Sequence, residues 1–342
     1  MPRRLVCVGP RRLEWQEYEA PEVSGDQVRV ESEFAAPKHG TEMACYKGYM
    51  FARGHFDAEY QAWMPGAEGW CGFPLGVGNM IVGRVVAVGP DAKQLAPGNR
   101  VCFHHGFQPV SVLPERSCRK MPDGLSWQSA VCVDPAEFAF AAVRDGHVRI
   151  GDAVAIFGMG AIGLMAVQLA RLAGADPVIA VEPLENRRRA AAAVGASLTL
   201  DPFACDAGLE IKKTTLNRGA DVVIDYSGDM KAIQDALRGV AYGGNVVAGA
   251  MPAPYGGGLD LGAEAHFNVP NIIFSRACSQ PGRDHPRWNE GRIAAACWKL
   301  LCHGRITGDP IVQPIVPFED LLREYPRIET DPDKNIKLGV KF

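Results

Sequence analysis

One segment limits the fold more than any other: AVAIFGMGAIGLMAVQLARLAGA, residues 153–175. Its first five residues, Ala153–Phe157, form an apolar run of strand type. Ala161–Ala173 follows with Ile162, Met165, Leu169 and Leu172 spaced three or four apart, which is one face of a helix. Between them stands Gly158-Met159-Gly160-Ala161-Ile162-Gly163, a G-x-G-x-x-G turn. The first glycine allows the tight turn, the second lets backbone approach a pyrophosphate, and the third lets helix and strand close together. Phosphates then rest on the open N–H groups and positive dipole end of the helix. Glu182 ends the next strand run, VIAV (178–181), at the spacing from which a carboxylate binds ribose hydroxyls. The segment therefore predicts a nicotinamide dinucleotide site. A carboxylate repels a 2′-phosphate, so NAD is expected ahead of NADP. Arg187, Arg188 and Arg189 keep NADP open, as phosphate ligands or simply as a solvated helix face.

Strand and helix continue to alternate after this turn: a helix over 186–194, DVVIDY (221–226), a helix near 231–240, NVVAGA (245–250) and NIIFSRACS (271–279) as a last strand. Such alternation means a parallel sheet with helices on both faces. The first ~135 residues are different, with short valine-rich runs at 27–31, 81–88 and 100–103 bounded by Gly, Pro and Asp. A helix over 290–302, IVQPIVP (311–317) and a closing strand IKLGVKF (336–342) end the chain. With 342 residues, more than one core is expected. The expected organisation is an α/β domain inserted into a β-rich one.

Composition excludes several classes. At 47% hydrophobic and 22% charged the chain is not a disordered one, and a formal charge of −3 gives no basic excess for nucleic acid. Neither a secretory signal nor an ~18-residue apolar run is present, so a cytoplasmic protein without membrane association is expected. The ten cysteines are scattered with no C-x-x-C pair, which reads as reduced, mostly buried small residues rather than disulfides or a zinc cluster.

VRVESEFAAPKHGTEMACYKG, VGRVVAVGPDAKQLAPGNRV, the glycine-turn segment and IKLGVKF together resemble the medium-chain dehydrogenase/reductase superfamily over essentially the whole chain. The resemblance implies a GroES-like β-rich catalytic domain (residues 1–136 and 280–342), a Rossmann NAD-binding domain with a doubly wound parallel sheet (137–279), and a substrate cleft between them. It also implies a homodimer formed through the last Rossmann strand. By the same resemblance, Gly158 to Gly163 hold the pyrophosphate, with Glu182 and Arg187 on the adenosine ribose side. Ser227 borders the adenine half, while Gly249, Ala250, Met251, Cys278 and Ser279 lie near nicotinamide, unless these last groups are ordinary sheet-end backbone.

The departures concern metal. Zinc members carry C-G-[ST]-D early in the chain, where this sequence has His39-Gly40-Thr41-Glu42. They carry G-H-E where it has Gly78-Asn79-Met80, and a third ligand in the region of Asp134-Pro135. Between Gly89 and Met121 only Cys102 and Cys118 stand where a structural-zinc lobe has four cysteines. Catalytic zinc needs three protein ligands; no metal is expected. Protein groups must then hold the substrate oxygen and move its proton. His39 is the candidate base or a turn-filling residue. Thr41 matches the proton-relaying hydroxyl or caps a helix beginning at Glu42. Asp134 orients His39, accepts the proton, or is a helix N-cap before Pro135. Glu42 and Asn79 are candidate hydrogen-bonding groups, and Lys38 a further donor. His104 and His105 follow a strand, where at most one reaches a cleft.

This polar set suggests a hydroxylated small-molecule substrate such as a sugar or polyol. Tyr46, Met50, Phe51, Trp63 and Trp70, in or beside the turn-rich 48–78 stretch, suggest a ring-bearing one unless they are packing residues. The chain is similar to the zinc-lacking subgroup that includes a bacteriochlorophyllide hydroxyethyl dehydrogenase. Two other functions remain open: an NADPH-dependent enone or quinone reductase, and a non-catalytic dinucleotide-binding sensor.

Overall fold

Six strands pair in parallel in the order Leu198–Leu200, Val178–Val181, Val154–Phe157, Ala220–Asp225, Val240–Ala248, Asn271–Phe274. The computed structural model describes residues 1–50, 54–65, 72–279, 282–284 and 286–342. In chain order the sheet runs 3-2-1-4-5-6, the arrangement of a Rossmann dinucleotide fold. Val154–Phe157 and Val178–Val181 are buried throughout, as expected for strands covered on both faces. The helix Ala161–Leu172 is buried over more of its surface than one stripe, with Gly163 to Ala170 all enclosed. It lies against the helix Val133–Asp145 as well as against the sheet. The last strand stops at Phe274, so Cys278 and Ser279 stand in the turn beyond it rather than on a strand.

The chain divides into two compact units, Met1–Val131 with Val312–Phe342, and Cys132–Ile311. The expected boundaries lay at 136/137 and 279/280. The units divide elsewhere because Val133–Asp145 packs on both Ala161–Leu172 and Glu290–Cys302, which keeps all three helices in the Rossmann unit.

The first unit is β-rich and GroES-like. Its main sheet runs Arg119–Lys120, Arg100–His104, Met80–Val88, Gln27–Ala36, Lys337–Lys341, Val312–Pro317, with Val110–Pro114 also pairing with Gln27–Ala36. The C-terminal strand Lys337–Lys341 runs antiparallel to Gln27–Ala36 through Val340↔Ala35, and parallel to Val312–Pro317. This return brings Tyr325 and the 337–341 strand beside the helix His39–Lys47. Val30, Ile81, Phe103, Phe107, Tyr325 and Leu338 form part of one buried cluster. Tyr46 belongs to it and Met50 is also buried, so both are packing residues. Trp63 lies on a two-stranded hairpin, edge-to-face with Phe56 at 5.9 Å. Phe51, Trp70 and Cys71 lie outside the described residues. None of the nine described cysteines is in a disulfide. Among the described residues no helix is long and apolar enough to cross a membrane.

Candidate active site

In the Rossmann unit the glycine turn is defined by what each position lacks. Gly158 has φ +85°, and a Cβ there would stand 2.6 Å from the Ser227 nitrogen. At Gly163 a Cβ would meet the Gly158 oxygen at 1.9 Å. At Gly160 it would meet nothing within 4 Å, so the middle glycine faces open space rather than protein. Gly160 is also the N-cap of Ala161–Leu172, with no side-chain cap and no acidic residue in the first turn. Among the described residues no side chain caps the N–H groups of this first turn, so they fit a dinucleotide pyrophosphate.

Glu182 is buried, and its carboxylate turns back toward this turn. Oε2 accepts from the Met159 N–H at 2.7 Å and Oε1 from the Leu184 N–H at 3.1 Å. Arg187 lies 4.0 Å from Glu182, and burial lowers its pKa. Arg188 is held by the Glu182 carbonyl and by Asp201. Ser227 is exposed in a turn organised by buried Asp225, which accepts from both the Ser227 N–H (2.9 Å) and hydroxyl (2.5 Å). Gly249 and Ala250 both donate to the Asp225 carbonyl, and Met251 is exposed. The Ser279 hydroxyl accepts from Arg276 at 3.1 Å. Thus Gly158, Ser227, Gly249 and Ala250 gather at the carboxyl ends of adjacent strands, where ligands bind in this fold.

In the first unit, the helix His39–Lys47 starts one turn earlier than a Thr41 cap requires. Its N-cap is Lys38, so Thr41 lies half-buried inside the first turn. His39 Nε2 accepts the Leu338 N–H at 2.9 Å. An imidazole that accepts at Nε2 carries its proton on Nδ1. Glu42 has its carboxylate turned inward among three donors: the Lys38 N–H, the Gly78 N–H at 2.8 Å and the Tyr325 hydroxyl at 2.8 Å. Burial raises its pKa, with these bonds and the Lys337 charge opposing. Lys337 is itself buried and donates to the Pro37 carbonyl at 2.7 Å. Asn79 is half-buried. Its Oδ1 lies 3.4 Å from His104 Nδ1, and its buried Nδ2 has no acceptor among the described residues. An unmet buried donor costs about 1–3 kcal/mol. His105 is turned to the Gly106 carbonyl, and burial lowers its pKa.

Asp134, in the other unit, is buried in the first turn of Val133–Asp145, whose N-cap is Cys132 and not Asp134. Sequence reasoning missed Tyr325, Lys337 and the Leu338 N–H, because no local motif marks a residue whose partner is almost the whole chain away. It also missed Asp225, although an acidic residue closing the run DVVIDY was visible.

The donor set does not fit catalytic zinc. Nε2 of His39 is engaged, Asn79 offers an amide where the resemblance expects an imidazole, and among the described residues no three His, Cys, Asp or Glu side chains are grouped to hold a metal.

Residues 161–280 match the family described as zinc-binding dehydrogenase, a match that contains neither His39, Asn79 nor Asp134. The chain is 41% identical to D-guloside 3-dehydrogenase of Escherichia coli (strain K12), with 99% of this chain and 100% of that protein covered. It is 27% identical to L-threonine 3-dehydrogenase of Pyrococcus furiosus, covering 85% of this chain and 88% of the relative. In fold it is similar to an Escherichia coli oxidoreductase/dehydrogenase of unknown specificity involved in membrane biogenesis (TM-score 0.79, 19% identity, 100% and 99% covered). With the glycine turn, the two units and this end-to-end identity in place, the chain belongs to the medium-chain dehydrogenase/reductase superfamily and is a dehydrogenase acting on CH–OH groups.

Proposed function

We propose that this protein oxidises a secondary hydroxyl on the ring of a glycoside, at carbon 3, with NAD as hydride acceptor and without zinc. The observation that carries the proposal is the 41% identity, over the full length of both chains, to a D-guloside 3-dehydrogenase. The polar character of His39, Thr41, Glu42 and Asn79 supports a hydroxylated substrate over an enone, whose reductases have apolar sites. The unsuitable donor set supports a metal-free reaction.

Bound NAD would supply the hydride acceptor at its nicotinamide ring. The chain would hold its pyrophosphate at Gly158–Gly163, through the backbone of Gly160, Ala161 and Ile162, with Met159 beside them held by Glu182. Glu182 supports NAD over NADP because its charge opposes a 2′-phosphate. Ser227, Gly249, Ala250, Met251, Cys278 and Ser279 are proposed to line the remainder, and Arg187 the ribose side. Thr41 relays the substrate proton. His39 accepts at Nε2 from Leu338, which favours a neutral imidazole and leaves the buried Asp134 carboxylate as the proposed proton acceptor. The exposed edge strand Asn271–Phe274, with Ile272 48% and Phe274 76% accessible, supports a homodimer through that strand.

The test is a rate panel with NAD and with NADP over glycosides, free sugars, polyols and simple alcohols, alongside enone reduction by NADPH. Fastest NADH formation with glycosides, by protein containing substoichiometric zinc and indifferent to chelator, is the expected result. Preferred enone reduction would support the reductase alternative, and NAD binding without turnover the sensor. Stoichiometric zinc would refute the metal-free reaction.

A further inference from the structure

Among the described residues the side-chain amide of Asn79 is a donor with no acceptor, and its Nδ2 is buried. The rest of the residue is anchored. Its N–H donates to the Ala36 carbonyl (3.3 Å), its carbonyl accepts from His105 (3.0 Å), and Oδ1 faces His104 Nδ1 at 3.4 Å. The preceding Gly78 is fixed as well. Its φ is +108°, its N–H donates to Glu42, and a Cβ there would lie 2.6 Å from the Phe107 nitrogen. The backbone at 78–79 is therefore fixed, and with Oδ1 turned to His104 the amide presents Nδ2 on its other side. Buried polar groups in folded proteins are nearly always paired, so a rigidly held orphan points to a ligand oxygen.

Resting on the oxidation proposed above, we infer that Asn79 Nδ2 donates to the substrate oxygen on the carbon that loses its hydride. In that step the C–H bond breaks and its electron pair passes to the nicotinamide. The O–H proton passes to a basic side chain, and the C=O bond forms. An amide neither gains nor loses a proton near neutral pH. Asn79 keeps both hydrogens throughout and can donate to alcohol, developing oxyanion and ketone alike. Its donation is strongest where negative charge collects on the oxygen, which lowers the barrier in both directions. This makes Asn79 an oxygen-binding residue and excludes it as the base.

The experiment compares Asn79→Ala and Asn79→Asp in the full-length enzyme, with whichever alcohol the wild type oxidises fastest. Removing one oxyanion donor is expected to lower kcat by about 10²–10³-fold while the Kd for NAD stays within about twofold. Asn79→Asp keeps the size of the side chain and loses the donor. Its rate is expected to fall comparably at neutral pH and to recover partly in acid, as the introduced carboxyl gains a proton it can donate. The wild type should show no such acid recovery. The inference is overturned by an alanine variant within about threefold of wild-type kcat, or by rate and NAD affinity falling together with Tm in both variants. A wrong substrate class would show in the wild-type panel, whereas a wrong role for Asn79 would show only in the ratio of variant to wild type.

Discussion

Tyr325 donates its phenolic hydrogen to Glu42 Oε2 across 2.8 Å, joining residues 283 positions apart. The same carboxylate receives the N–H groups of Lys38 and Gly78. One acidic group thus ties the start of the His39 helix, the turn before Asn79 and the C-terminal segment together.

Tyr325→Phe removes a donor to a charged acceptor and is expected to destabilise by about 1.5–3 kcal/mol. Burial raises the folded pKa of Glu42 above its ordinary 4.5. Its contribution is therefore full below about pH 4.5 and lost as pH rises through the folded value. The tyrosine mainly supports the ionised form, so the penalty should be larger at pH 8 than at pH 4.5. Urea unfolding at the two pH values checks this; equal penalties would mean the hydroxyl does not sense the charge.

Gly160→Ala and Gly163→Ala should separate binding from folding. The added methyl at 160 meets no protein atom within 4 Å, so Tm should hold while NAD affinity falls at least about tenfold. At 163 the methyl would stand 1.9 Å from the Gly158 oxygen, so Tm should fall as well. Calorimetry paired with NAD titration reads both. Tight NAD binding by the 160 variant would remove the pyrophosphate from this turn.

Glu182→Ala takes away the charge expected to oppose a 2′-phosphate and leaves Arg187 and Arg188 nearby. The ratio of kcat/KM for NAD over NADP should drop by about 10-fold or more. Part of the loss with NAD should come from freeing the Met159 N–H that Glu182 holds. An unchanged ratio would assign cofactor choice to other residues.

Cys118 is pushed up to about 12 by burial, with the Glu115 charge adding to the effect. A thiol with that pKa is about 10⁻⁴ ionised at pH 8, and only the thiolate reacts quickly. Native protein treated with iodoacetamide at pH 8 should retain unmodified Cys118 by peptide mass spectrometry, and denatured protein should not. Rapid native labelling would contradict its enclosure.

The strand–turn–helix of the glycine segment was legible because its signals are local. Apolar run, glycine spacing and helical periodicity lie within about twenty residues, and the helices at 161–172 and 290–302 fall where periodicity puts them. Helix starts were less legible. Thr41 and Asp134 are both residue types that cap, yet Lys38 and Cys132 occupy the caps. The last Rossmann strand is shorter than the expected 271–279, because its register with the neighbouring strand ends at Phe274 and the Ser275 N–H makes the final bond to it, at the Ala248 carbonyl.

By itself the sequence determined the class of this protein: an α/β dinucleotide fold inserted in a β-rich one, a dehydrogenase turn, and polar residues where zinc relatives carry ligands. These follow from periodicity and motif, which depend on neighbours along the chain. Only the tertiary structure decided what those polar residues do. It set His39 against the Leu338 N–H, enclosed Glu42 between Gly78 and Tyr325, and left the Asn79 donor without an acceptor among the described residues. Hydrogen-bond satisfaction is a property of three-dimensional surroundings, and here Leu338 and Tyr325 come from the returning C-terminal segment, which no local pattern could pair with residues 39 and 42.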